Sequence, residues 1–205
     1  MTPFELSVES ELNGESRRFA NEWLFKWHSL NIEGRTVDVD RFDGGRIHYG
    51  GIRFEGQQQQ VFWQAIGRYL NQKTHETFKR WDAETRMYPE NIRRASIDGV
   101  ERSLREFVAR IAQHSTETDR RLRGQGYPQN VTPFNATGYQ SAANAEITGL
   151  AESHRALLDK SIEKQKPAPL SRKQRVENFL SNHKGIMGAI GLAIAVIGLL
   201  RYFSK

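Results

Sequence analysis

The sequence predicts a mainly α fold of the α+β class: a helical domain with a small N-terminal β-hairpin, followed by a single C-terminal transmembrane helix. Three observations carry this. Long stretches between residues 57 and 164 repeat apolar side chains every three or four positions, the period of a helix that buries one face. Residues 35–54 alternate instead, around a glycine turn. Gly185 to Leu200, GIMGAIGLAIAVIGLL, runs for sixteen residues without a charge or a polar side chain.

Taken in order, Pro3 to Val8 is a candidate third strand for the hairpin. Glu15 to Leu30 reads as an amphipathic helix, because Phe19, Trp23, Trp27 and Leu30 fall at spacings of 4, 4 and 3. An aromatic stripe at that spacing is core packing rather than a platform for stacking a ligand. Arg35 to Phe42 places Val37 and Val39 on one strand face and Asp38 and Asp40 on the other. Arg46 to Phe54 alternates more loosely, and Asp43-Gly44-Gly45 joins the two runs as a hairpin turn. A two-stranded hairpin is marginal alone, so it has to pack on helices.

Gln57 to Asp82 carries Phe62, Ala65, Ile66, Tyr69, Leu70, Thr77 and Trp81 on one face. Asn91 to Arg123 carries Ile97, Val100, Leu104, Phe107, Val108 and Ile111, with Gly124 as the stop. Residues 124–145 contain no charged side chain, and Pro128, Pro133 and Gly138 mark the first half as loop. An uncharged loop of that length is either a mobile connector or a contact surface. For the contact surface, Tyr127, Phe134 and Tyr139 are the candidate partner-binding anchors. A last helix of the domain runs from Tyr139 to Lys164, with Ile147, Leu150, His154, Leu157, Leu158 and Ile162 facing inward.

The expected organisation is therefore a cytoplasmic helical domain over residues 1–165 with its hairpin near 35–54, and a Pro-containing linker over 166–171. A basic juxtamembrane helix over 172–184 and a transmembrane helix over 185–203 follow. A span needs roughly 20 apolar residues. The stretch reaches that length when Arg201 extends its guanidinium to the headgroups. Four glycines in sixteen residues would weaken a soluble helix by about 1 kcal/mol each, whereas membrane helices carry glycine commonly.

The net charge of +6 lies entirely in the tail. Residues 1–163 hold 22 basic and 23 acidic side chains, and residues 164–205 hold 8 and 1. The basic pI is therefore a membrane signature and argues against a nucleic-acid partner. Arg172, Lys173, Arg175 and Lys184 precede the apolar run and are the candidate lipid-headgroup ligands. The same asymmetry places the large domain in the cytoplasm. Met1 to Ser10 holds Glu5 and Glu9 and no basic start before an apolar run, so no signal peptide is expected. The localisation read from this is a single-pass, tail-anchored protein, at the inner membrane in a bacterium. In that topology Asn130-Val131-Thr132 and Asn135-Ala136-Thr137 are not glycan acceptors.

The absence of cysteine excludes disulfides and thiolate chemistry. The candidate metal ligands are Asp38, Asp40, Asp43 and His48, but the third aspartate falls one place late for a calcium loop, and Tyr49 stands where its glutamate belongs. The competing reading is a solvated strand face ending in a turn. His75-Glu76 opens like a zinc-protease motif but lacks the second histidine, Lys79 standing there. No phosphate loop, nucleophile elbow or dinucleotide fingerprint is present, so no cofactor is expected and enzymatic activity has no motif behind it. Nine arginines between Arg86 and Arg123 face six acids, which reads as a salt-bridged helix surface.

These readings converge on a tail-anchored protein whose cytoplasmic domain binds a protein or small-molecule partner at the membrane surface, with lipids as a further partner. One alternative is a membrane-acting effector assembling as a homo-oligomer through its span. Gly188, Gly191, Ala195 and Gly198, with Gly185 one turn earlier, form a stripe of small residues that lets helices approach. The other is a membrane-tethered, metal-dependent enzyme using the aspartate and histidine cluster.

Overall fold

A computed structural model describes residues 3–50, 56–126 and 132–165. The linker, the juxtamembrane segment and the apolar stretch, with every membrane and headgroup residue named above, lie outside the described residues. So do Tyr127 and the far part of the second strand. Among the described residues no helix is long and apolar enough to cross a membrane. The chain divides into two units, Met1–Ser161 and Ile162–Lys205, and the first is described below.

The first unit is an up-down-up-down arrangement of four helical rods. The first rod is α1 (Pro3–Arg18), a π-helical segment (Phe19–Leu24), a short α2 (Phe25–His28) and a second π-helical segment (Ser29–Glu33). Gly34 ends it at φ 67°, a left-handed cap that a residue with a Cβ adopts only under strain. Strands β1 (Val37–Asp40) and β2 (Arg46–Tyr49) follow, then α3 (Gly56–Thr85), α4 (Glu90–Gly124) and α5 (Ala136–Gln165).

The N-terminal segment corrects the expectation of a third strand. Phe4, Leu6 and Val8 alternate like a strand, yet the buried set is Phe4, Val8 and Leu12, four residues apart, and Leu6 is 55 % exposed. Pro3 suits a first helical turn because it has no N–H to leave unpaired. The sheet is accordingly two-stranded and antiparallel, pairing Val37 with Tyr49, Asp38 with His48, Val39 with Ile47 and Asp40 with Arg46.

Helices α3 and α4 bury every residue the periodicity assigns to their inner faces. Between them, the Trp81 indole N–H donates to Ser96 Oγ at 2.8 Å, and Arg93 pairs with Asp82 at 2.7 Å. The register of α5 on α4 follows from their polar contacts: Arg94 meets Asp159, Arg155 meets Asp98 and Glu101, and Arg105 meets Thr148. Steps up one helix match steps down the other, so the pair is antiparallel. Gly67 of α3 is where the Tyr139 ring of α5 lies, 3.0 Å from where a Cβ would stand.

Two further expectations change. Helix α5 begins at Ala136, three residues early, because Asn135 Oδ1 accepts the Gly138 N–H at 2.9 Å and caps the first turn. Leu157 is 60 % exposed, since its neighbour Leu158 takes the inward direction along with Ile147 and Ala151.

Candidate functional site

The first π-helical segment is the most unusual stretch of backbone in the unit. π turns are rare, and they recur at functional sites because the wider turn re-aims its side chains. Here Phe19, Glu22 and Trp23 wall one cleft, and Ala20, Asn21 and Leu24 wall a second.

The first cleft, of about 170 Å³, is closed on its other sides by Glu15, Arg18, Lys26, Asp40, Phe42 and Tyr69. Its floor is a run of aromatic rings. Phe19 stacks on Trp23 at 4.8 Å and on Tyr69 at 4.5 Å, while Phe42 tilts against Tyr69 at 4.7 Å and Trp23 at 5.7 Å. Stacking occupies the ring faces, so the cleft presents edges of Phe19, Trp23 and Tyr69 and the half-buried ring of Phe42.

The hairpin supplies that last wall under strain. Phe42 has φ 55°, the one non-glycine residue with positive φ among the described residues, and a bulky side chain rarely sits there. Asp40 Oδ1 accepts the Phe42 N–H at 2.8 Å, and the Arg41 N–H donates to the Gly45 carbonyl at 3.0 Å, which holds the corner. The first rod holds the hairpin in place: Trp23 Nε1 donates to the Asp40 carbonyl at 3.1 Å, and Lys26 Nζ donates to the Asp38 carbonyl at 3.0 Å. Both carbonyls face out from the β1 edge, so these side chains also block strand addition there.

The cleft rim mixes signs. The Tyr69 hydroxyl donates to Glu15 at 3.0 Å, and Arg18 pairs with Glu15 at 3.1 Å. Burial, and then the Glu15 carboxylate, push the Tyr69 phenol well above its ordinary value, so it stays protonated as a donor. The second cleft, on the other face of the π segment, is about 310 Å³ and is lined by Phe25, His28, Thr118 and Arg121 besides the segment. It is the larger, but it lacks an aromatic floor and a strained wall.

The predicted metal ligands do not come together. Asp38 and His48 are cross-strand partners 2.8 Å apart on the exposed face, and that hydrogen bond holds the Asp38 carboxyl below its usual range. Asp40 is engaged with Phe42, and Asp43 accepts the Gly45 N–H and pairs with Arg41 and Arg68, each at 3.2 Å. Among the described residues no group of three or more side chains could hold a metal ion. These residues form a solvated strand face and a turn.

The loop anchors are placed differently from the expectation. Phe134 is in the core, stacked on Tyr139 at 5.2 Å and against Trp63 at 6.1 Å, and its burial removes it as an exposed contact. Tyr139 is half-buried against Gly67, and burial raises its phenol. The arginine-rich surface of α4 is salt-bridged along its own helix, Arg105 to Glu101, Arg110 to Glu106, Arg121 to Glu117 and Arg123 to Asp119.

Sequence reasoning missed the role of Phe42 and the π turn. No local signal marked either, since a bulky aromatic is among the residue types least expected at positive φ. Compared with known proteins, the chain matches no family model, no curated protein and no solved structure.

Proposed function

We propose that the chain is a tail-anchored, single-pass membrane protein whose cytoplasmic domain binds a protein partner at the membrane surface. The observation that carries the membrane half is the sixteen-residue apolar stretch Gly185 to Leu200, preceded by Arg172, Lys173, Arg175 and Lys184. The aromatic cleft on the first π segment supports the binding half. At about 170 Å³ it is smaller than the roughly 300–1,000 Å³ of small-molecule and cofactor sites. It suits one side chain of a partner, with Glu15, Glu22, Arg18 and Lys26 contacting the flanking backbone.

The membrane half is tested by fractionating cells that express the full chain or a Gly191→Lys, Ala195→Lys variant. A lysine at mid-span costs about 3 kcal/mol, so the variant leaves the membrane fraction while the parent resists alkaline carbonate. Release of the parent by carbonate would sink the reading. For the binding half, a photo-crosslinking residue at Glu22 yields a discrete adduct that Trp23→Ala abolishes. An adduct insensitive to Trp23 argues against the cleft.

The stripe Gly188, Gly191, Ala195 and Gly198 supports a second reading, in which the spans self-associate and the protein acts as a membrane effector. Gly191→Leu with Ala195→Leu then abolishes crosslinked oligomers in the membrane.

A further inference from the structure

One end of the four-helix unit carries the start of α1, the α3–α4 turn and the last turns of α5. The turn is Arg86 to Pro89, closed by the Tyr88 N–H donating to the Thr85 carbonyl at 2.9 Å. Met87 within it is 84 % exposed, and Tyr88 and Ile92 are also exposed. Leu157 of α5 is exposed too, but it stands further in along the flank, since Asp159 pairs with Arg94 at 2.6 Å and Arg155 with Asp98. Three of the six exposed large apolar side chains among the described residues, Met87, Tyr88 and Ile92, therefore stand within six consecutive residues at this end. Single exposed apolar residues need no explanation, but a gathered group does. A polar turn would close α3 onto α4 equally well.

The place where the chain leaves the unit identifies the occupant. The Ser161 hydroxyl donates to the carboxylate of Glu90, the first residue of α4. The chain thus exits the unit beside the exposed group, and the apolar stretch begins 24 residues later. Charge at this end is close to balanced, with Arg86, Arg94 and Lys160 beside Glu90 and Asp159, so neither sign dominates the approach. We infer that this end of the unit rests on the bilayer, with Met87, Tyr88 and Ile92 inserted among the headgroups. Tyr88 suits that depth, its ring in the apolar layer and its hydroxyl in water. The inference rests on the membrane-anchor reading and adds to it an orientation of the domain.

The chain has no cysteine, so one introduced cysteine reports on one position. The full chain, with Met87→Cys or Ile92→Cys carrying an environment-sensitive fluorophore, is reconstituted into vesicles of phosphatidylcholine and phosphatidylglycerol that contain nitroxide-bearing lipids. Phe25→Cys is the reference, being 53 % exposed and beside Thr118 and Arg121 at the opposite end of α4. The expected result is a blue-shifted emission and about twofold quenching at positions 87 and 92, with neither at 25. If the chain stays with the vesicles through carbonate and all three positions behave alike, the resting end is overturned and the anchor stands. If carbonate strips the chain from the vesicles, both fall.

Discussion

The Gln59 side-chain amide, at the start of α3, donates to Asp119 Oδ1, near the end of α4, at 3.0 Å, and both residues are buried. The same carboxylate accepts the Phe134 N–H at 3.3 Å and Arg123 Nε at 2.9 Å. One acidic group thereby joins two helices and the approach to a third. Asp119→Ala leaves these donors buried without their acceptor, and the expected loss is about 3 kcal/mol in urea unfolding. Gln59→Leu costs about 1 kcal/mol, and the pair is non-additive in a double-mutant cycle. Simple additivity would show that the two residues do not act together.

At Phe42 the usual order of glycine and alanine reverses. Both substitutions lose the ring, but only glycine takes φ 55° without strain. Phe42→Gly is expected to be about 1 kcal/mol more stable than Phe42→Ala. Thermal unfolding of the two variants decides this, and equal stability would mean the corner relaxes.

His154 lies against Phe78 at 5.4 Å and Trp81 at 5.0 Å, with Asp82 and Arg93 nearby. Burial lowers its pKa below the ordinary 6.5, Asp82 opposes the shift and Arg93 adds to it. The unfolded chain then binds the proton more readily, so stability declines as pH falls through about 6.5 and levels off below the folded pKa. His154→Phe flattens that part of the curve in urea midpoints taken from pH 8 to 5. An unchanged slope would assign the effect to another histidine.

The Tyr69 phenol is raised by burial and by Glu15. Its proton is retained in the folded chain after the unfolded chain releases it near pH 10, so this contribution is complete below pH 10 and lost above it. Absorbance of tyrosinate at rising pH should show one phenol fewer ionising before unfolding than in Tyr69→Phe plus one free tyrosine. Early, reversible ionisation of Tyr69 would contradict the burial.

A helix rather than a strand at the N-terminus is tested by two neighbouring residues. Val8→Ala is expected to cost about 2 kcal/mol, whereas Leu6→Ser changes stability little because Leu6 faces solvent. Equal costs would favour the alternating reading.

The two long helices were legible because the apolar stripes of α3 and α4, Phe62 to Trp81 and Ile97 to Ile111, repeat at the helical period and find the core. The first rod was legible only from Glu15 onward. Phe4 and Val8 satisfy both periods, Leu6 only the strand's, and packing against α4 chooses the helix. The arginine surface was readable as ion pairs because each acid stands four residues before its arginine. The aromatic cleft was not readable, since it joins residue 19 to residues 42 and 69, and neither a π turn nor a positive φ has a local signature in those residue types. The aspartate cluster misled for a related reason: nearness in sequence brought four oxygen and nitrogen ligands together on paper, while strand pairing and the turn gave each a different partner.

Helix α4 is about 52 Å long at 1.5 Å per residue, and the cleft lies level with its Phe107, which meets Tyr69 at 5.9 Å. From Glu90 to Phe107 is seventeen residues, or about 25 Å. Under the proposal that the Met87 end rests on the bilayer, with α4 along the bilayer normal, α4 would act as a ruler: it would set the cleft clear of the headgroups, so that a partner would dock from solution and not from within the lipid.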